Sequence, residues 1–288
     1  MARKSIISKE QQETIKKLYK SGVGSTTIAR KLNLNNSTVA TFIKRKIGLR
    51  SQSCAARKYY CDEDFFENID TEEKAYWLGF MYADGYVSSY NSQKCIGITL
   101  SNNDINHLIK FKNSINATYP IHTYFSNSSY SSNTKYSRIL ITSRKMFDDL
   151  VNQGVVEHKT LILKQPNIPE SLYNHFIRGY IDGDGCITSH IQRNKKTPQF
   201  FIKIVGTNDV LNFIKDFIEQ NNCAKIKKFY KRHKNDQVSN IDFGGNRQVK
   251  KFLDLLYKDA TIYLDRKYEK YIELCNLSHC CPLSKGKG

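Results

Sequence analysis

The 288-residue chain has no Cys-x-x-Cys pair, no apolar run near the length of a membrane span, and almost no negative charge at its start. Each absence excludes something. The eight cysteines, Cys54, Cys61, Cys95, Cys186, Cys223, Cys275, Cys280 and Cys281, are scattered, so free thiols in a reducing compartment are expected rather than a zinc site or a disulfide scaffold. His279-Cys280-Cys281 falls in a tail ending Ser284-Lys285-Gly286-Lys287-Gly288 and is expected to fray. Met1-Ala2-Arg3-Lys4 opens a polar stretch without an apolar h-region, so neither a signal peptide nor a membrane helix is expected. That predicts a soluble, intracellular protein.

What is present is positive charge. Residues 1–60 hold 14 Lys or Arg against Glu10 and Glu13, which gives +12 of the formal +18. A polyanionic partner follows, nucleic acid ahead of a membrane surface. In this region Ser8 can cap a helix to about Ser21 that carries Ile15, Leu18 and Tyr19, and Gly22-Val23-Gly24 breaks it. Ser25 opens a second helix over Thr26 to Leu32, and Ser37 a third to about Lys46. Asn33 stands where the turn between them needs a residue tolerant of positive φ. Ile28, Leu32, Leu34, Val39 and Phe42 are spaced to join the two helices, with small Ala29 at the crossing. Residues 1–50 resemble the helix-turn-helix of recombinases and repressors. The third helix would be the reader, with Asn36, Ser37, Thr38, Thr41, Lys44 and Arg45 turned toward bases and phosphates. A protein-binding module with the same core is the plainer alternative, and the charge favours DNA. Residues 51–69 pass from basic to acidic without periodicity and read as a linker.

The rest of the chain is organised around a repeat. Tyr76-Trp77-Leu78-Gly79-Phe80-Met81-Tyr82-Ala83-Asp84-Gly85 is echoed by Phe176-Ile177-Arg178-Gly179-Tyr180-Ile181-Asp182-Gly183-Asp184-Gly185, one hundred residues later. Each copy predicts a helix ending at an acid and a glycine. Asp70 with Glu73 is expected to cap the first, and Pro169 suits the start of the second; Gly85 and Gly185 are expected as left-handed stops. Gly79 with Ala83, and Gly179 with Gly183, share one helix face, which permits close backbone approach if the two faces meet. Asp84 and Asp184 would then emerge side by side at the negative ends of two helices, where carboxylates are disfavoured and repel. Paired hard carboxylates recruit Mg²⁺. A calcium loop does not fit, because Cys186 stands where an oxygen ligand is needed and Ile187 where a glycine is needed.

These decapeptides resemble the two signature motifs of the LAGLIDADG homing endonucleases in their single-chain form. Ile177 through Gly185 fits well, and Trp77 through Gly85 fits with Tyr82 where the motif often has an acidic residue. The resemblance spans roughly residues 60 to 275. It implies an α+β fold of two pseudo-symmetric αββαββα units, each with a four-stranded antiparallel sheet: a first half over 70–165, a second over 166–277, and a tail from 278 to 288. It also implies Asp84 and Asp184 as catalytic residues holding Mg²⁺ or Mn²⁺. A basic residue beside each scissile phosphate is matched, more loosely, by Lys159 and Lys267, expected after the last helix of each half.

The strand and helix patterning agrees with two similar halves. Strands are expected at Lys94–Leu100, Tyr119–Phe125 and Tyr136–Thr142 in the first half, and at Phe200–Val205, Ala224–Tyr230 and Val238–Phe243 in the second. One sheet face can be polar. Arg138 in the first half and Lys203, Lys225, Lys227, Lys231 and Arg232 in the second would lie along a DNA groove. The expectation is a monomeric, sequence-specific endonuclease making metal-dependent double-strand breaks in duplex DNA at a long, largely asymmetric site, as in intron mobility. Cytoplasm, nucleoid or a DNA-containing organelle would suit it. A DNA-binding regulator that lost cleavage and an intron RNA maturase are the alternatives. Splicing chemistry of its own is not expected, since no nucleophile opens the chain and no Asn closes it.

Overall fold

A computed structural model of the chain describes residues 7–20, 22–49, 58–90, 93–126, 134–191, 193, 197–231 and 238–280. The chain divides into two compact units, one reaching residue 63 and including 111–120, the other formed by 64–110 and 121–288.

The first unit holds α1 (Lys9–Lys20), α2 (Ser25–Lys31) and α3 (Asn36–Lys46). Ser8 and Gln11 form a reciprocal cap: the Ser8 hydroxyl accepts from the Gln11 N–H at 3.1 Å, and the Ser8 N–H donates to Gln11 Oε1 at 3.0 Å. Ile15, Tyr19, Ile28, Ala29, Val39 and Ile43 make a small core, with Leu18, Leu32, Leu34 and Phe42 packed on it. Asn33 turns the chain at φ 53°. Asn35, not Ser37, caps α3; its side chain accepts from the Ser37 N–H at 2.9 Å and the Ser37 hydroxyl at 2.8 Å. The helix thus starts two residues earlier than expected. Tyr60 and Thr118 tie two further segments together by backbone hydrogen bonding at 2.8 Å.

The second unit has α4 (Glu72–Ala83), β1 (Gly85–Tyr90), β2 (Gln93–Ser101), α5 (Ile105–Ser114, which runs into the first unit), β3 (Ile121–Phe125), β4 (Lys135–Thr142) and α6 (Arg144–Asn152). Then follow α7 (Tyr173–Asp184), β5 (Gly185–His190), β6 (Gln199–Gly206), α8 (Asn208–Gln220), β7 (Ser239–Gly244), α9 (Asn246–Tyr257) and α10 (Asp265–Cys280). The class is α+β. One antiparallel sheet runs β1-β2-β4-β3 and the other β5-β6-β7. Inward residues alternate along each strand: Ile96, Ile98, Ile139 and Ile141 in the first sheet and Phe200, Ile202, Ile204 and Ile241 in the second are fully buried.

Several boundaries differ from expectation for identifiable reasons. The second sheet has three strands among the described residues, where four were expected. Residues 224–230 make one isolated bridge, Tyr230 to Asn240, and the Ile226 N–H donates to Glu219 Oε1 at 2.9 Å rather than to a neighbouring strand. The strand expected from Tyr119 begins at Ile121, since Pro120 has no N–H to give. Thr71 rather than Asp70 caps α4, accepting from the Lys74 N–H, while Asp70 pairs with the Lys74 ammonium at 2.8 Å. A 3₁₀ turn, Glu170–Leu172, intervenes between Pro169 and α7. In the stretch read as a linker, Phe65, Phe66 and Ile69 are buried, so its acidic end is packed rather than a free tether.

Gly85 and Gly185 are not left-handed stops. Gly185 is extended at φ −94° and each glycine opens a strand directly. Space explains them: a Cβ at Gly85 would lie 2.6 Å from Met81 Cα, and one at Gly185 would lie 2.6 Å from the Ile181 carbonyl oxygen. The chain folds back over the last helical turn, and a side chain would block it.

Away from the acids, Arg178 (1% exposed), in the middle of α7, is buried against Glu72 at the start of α4 at 2.6 Å. It also donates to the carbonyls of Ile262 at 2.9 Å and Leu256 at 2.6 Å, while Glu72 accepts from the Thr261 N–H and hydroxyl at 2.7 Å. Arg178→Leu is therefore expected to destabilise the protein by about 3–5 kcal/mol in a urea titration, because Glu72 keeps its Thr261 hydrogen bonds but loses its countercharge, and two carbonyls lose their donor. Adding Glu72→Gln should recover part of the loss.

Candidate active site

Helices α4 and α7 meet along their glycines. A Cβ on Gly79 would fall 2.0 Å from the Phe176 carbonyl oxygen, and one on Gly179 would fall 2.0 Å from the Tyr76 carbonyl oxygen. The contact is reciprocal and made by backbone. Further along, a Cβ on Gly183 would reach Ala83 Cβ and lie 3.3 Å from Asp84 Cγ. The two helices therefore end level, which brings Asp84 and Asp184 to one place. Since β1 and β5 start at the next residues, the carboxylates stand where the two sheets begin.

Both side chains are open to solvent, yet protein atoms pack closely around them and displace part of their hydration. Asp184 is pushed up to about 6, first by that desolvation and then by the negative charge of Asp84. Asp84 is also raised by desolvation, against the pull of Lys267, Lys159 and Arg266. Two acids whose charged forms are destabilised, placed at the negative ends of two helix dipoles, form a site that gains from a cation.

A lysine closes each helix end. Lys159, in a 3₁₀ turn, donates to the Ala83 carbonyl at 2.6 Å. Lys267 follows α9, the last helix expected in its half, and lies in the first turn of a further helix that was not expected, α10. It donates to the carbonyls of Ile181, Asp182 at 2.7 Å and Gly185 at 2.7 Å. Desolvation lowers the Lys267 ammonium to about 8 despite the opposing charge of Asp182. It also lowers Lys159, against the charges of Asp184 and Asp84.

The motif position that differs between the copies carries a network that sequence reasoning passed over. Asp182 (1% exposed) accepts from the Tyr76 hydroxyl at 2.7 Å and the Leu264 N–H at 2.8 Å, both on Oδ2. The single hydroxyl proton of Tyr76 is spent on Asp182, so His107 Nε2, 3.0 Å away, must be the donor to the Tyr76 oxygen. Burial holds the His107 imidazole at about 3, hence neutral. In the first copy, Tyr82 sends its hydroxyl to the Gln153 carbonyl at 2.6 Å. The usable signal was the pairing of position 76 with 182, visible only once the helices are known to cross.

The remaining site residues are spread more widely. Arg138 and Lys203 lie on the solvent faces of their sheets, at the registers Thr99↔Arg138 and Lys203↔Asp242. Arg138 sits over the Tyr124 ring at 5.8 Å, and Tyr124 stacks on Tyr136. Lys225, Lys227 and Lys231 are exposed on the irregular segment, not on a strand. Arg232 lies outside the described residues. On α3, Ser37, Thr41, Lys44 and Arg45 are exposed and Thr38 is half-buried.

No protein-family model matches the sequence, and no curated protein does. Solved structures align with it at low identity. I-GzeII in complex with its DNA target is 13% identical, with 71% of this chain and 89% of that chain covered at a TM-score of 0.49. I-SmaMI bound to cleaved DNA is 12% identical, with 74% and 90% covered at 0.49. I-LtrWI bound to target DNA is 10% identical, with 76% and 92% covered at 0.48. These neighbours are LAGLIDADG homing endonucleases. Among the described residues, no helix is long and apolar enough to cross a membrane.

The described residues contain no group of three or more His, Cys, Asp or Glu able to hold a metal, so two carboxylates would be the protein's contribution. That suits Mg²⁺, which keeps several waters and is commonly bound through one or two carboxylates plus phosphate. The residues fit.

Proposed function

We propose that the protein is a LAGLIDADG-type, sequence-specific endonuclease that makes double-strand breaks in DNA. The observation that carries this is the convergence of Asp84 and Asp184 at the ends of two glycine-packed helices, with Asp184 raised to about 6 partly by its neighbour. Asp84 and Asp184 would hold Mg²⁺ or Mn²⁺, whose Lewis acidity toward the phosphate and the attacking water is the chemistry the ion supplies.

The chain's own residues do the rest. The glycine contact fixes the separation of the two carboxylates, and the lysines neutralise the helix ends that would otherwise repel them. Outward side chains such as Arg138 and Lys203 meet phosphates and bases. The N-terminal three-helix unit acts as a helix-turn-helix that adds affinity, reading through Ser37, Thr38, Thr41, Lys44 and Arg45. The enzyme works as an intracellular monomer on a long, largely asymmetric site.

The test is selection of cleaved duplexes from a random library with Mg²⁺, followed by plasmid cleavage at the selected site. The wild type is expected to convert supercoiled plasmid to linear, and Asp84→Asn to leave it uncut. Specific binding without any cut in Mg²⁺ or Mn²⁺ would sink the nuclease reading and leave a DNA-binding regulator.

A further inference from the structure

The two lysines at the helix ends are not equivalent. An ammonium has three N–H groups. Those of Lys267 (3% exposed) are matched by three backbone carbonyls, Ile181, Asp182 and Gly185, so none is left for a substrate. Lys159 is only half-buried and makes one hydrogen bond among the described residues, to Ala83, so two of its N–H groups remain.

The origin of the difference is one position of the repeat. In the second half the buried Asp182 carboxylate lies beside Lys267 and draws its charge inward. In the first half the same position is Tyr82, neutral and turned to Gln153, so no buried charge holds Lys159 back. For Lys267 to reach a phosphate it would have to abandon three carbonyls at a buried helix end, and each unmet group costs about 1–3 kcal/mol.

We propose that Lys159 alone donates an N–H to a scissile phosphate, that Lys267 is a positioning residue holding the end of α7 and with it Asp184, and that the two strands are consequently cut at unequal rates. This rests on the nuclease reading. In each cut a water oxygen bonds to phosphorus and the bond from phosphorus to O3′ breaks. One water proton ends on O3′, and the other leaves the new 5′-phosphate to solvent. Lys159 stabilises the charge on the phosphoryl oxygens in one of the two events, and the other proceeds without that donor. Asp184 stands with Asp84 in one place at the helix ends, so a disturbance at Lys267 reaches the site of both cuts.

The experiment uses the full chain with Mg²⁺ on a duplex carrying the selected site, each strand labelled separately. Loss of one positioned donor typically costs on the order of 10²-fold or more in rate, so the wild type is expected to cut one strand about 10²-fold faster and to accumulate a nicked intermediate. Lys159→Met should slow that faster strand selectively, by a similar factor. Lys267→Met should slow both strands by a common factor and lower the melting temperature. Equal wild-type rates would overturn the proposal, as would a Lys267→Met variant that slows only the strand Lys159→Met spares. A second readout needs neither variant nor activity. Reductive methylation of the DNA-free wild type, mapped by mass spectrometry, should label Lys159 well before Lys267, and comparable labelling overturns the assignment. If neither strand is cut, the nuclease reading fails and takes this proposal with it; equal cutting removes only the proposal.

Discussion

Gly179→Ala, or Gly79→Ala, is expected to lower the unfolding free energy by about 3 kcal/mol or more, at the upper end of overpacking costs. In an isolated helix the same change would be favourable by about 1 kcal/mol, because Ala is the better helix former. The sign therefore separates a free helix from a packed one. Each new methyl would meet a backbone carbonyl oxygen at 2.0 Å, and a carbonyl within a helix cannot swing away as a side-chain tip can. The helices must separate along their length instead. Urea unfolding followed by circular dichroism measures the loss, and a neutral or stabilising result would mean that α4 and α7 do not touch at these residues.

The second large effect concerns Asp184 and joins stability to function. Its carboxyl is raised to about 6 in the folded protein, above the ordinary aspartate value of about 3.9 that applies when the chain is unfolded. The folded state therefore holds this proton more tightly. The group's contribution favours folding at low pH and is lost as pH rises from about 4 through 6. Asp184→Asn removes that cost, so without divalent ions the variant is expected to melt higher than the wild type at pH 7 and to flatten the fall in melting temperature between pH 4 and 6. Divalent ions should raise the wild-type melting temperature at pH 7 and progressively less below pH 6. Cleavage should fall by at least about 10³-fold in the variant, as for other groups whose loss removes part of a cooperating catalytic set. Scanning calorimetry and the plasmid assay decide it; a variant that melts lower at pH 7 would mean that Asp184 is not strained.

Much of this site was legible in the sequence because its signals are local. The repeat of Gly, small residue and Asp at fixed spacing gave both the helix faces and the ends they reach. The cap at Ser8 and the positive φ of Asn33 were readable for the same reason, and the caps of α3 and α4 to within two residues. Where expectation failed, the deciding contact was distant. Glu219 captures the N–H of Ile226 in the segment where a fourth strand was expected, and among the described residues that segment makes a single bridge. The glycines after the motif acids are required by Met81 and Ile181 folding under them, which no turn rule encodes. Helix α10, which carries Lys267, was not expected; just before it, the Leu264 N–H donates to Asp182, 82 residues away in sequence.

The crossing of the motif helices sets position 76 against 182 and position 82 against 176. One pair is a hydroxyl on a carboxylate, Tyr76 and Asp182; the other is ring on ring, Tyr82 and Phe176, with centroids 5.0 Å apart. Two copies of the second half could not reproduce this, since each Asp182 would face the phenyl of Phe176 and bury a carboxylate against hydrocarbon. Two copies of the first half would bring Tyr76 to Tyr82 on both sides, with no acid to shelter. The halves have become obligate counterparts, and a gene split between them would yield fragments that must find each other rather than themselves.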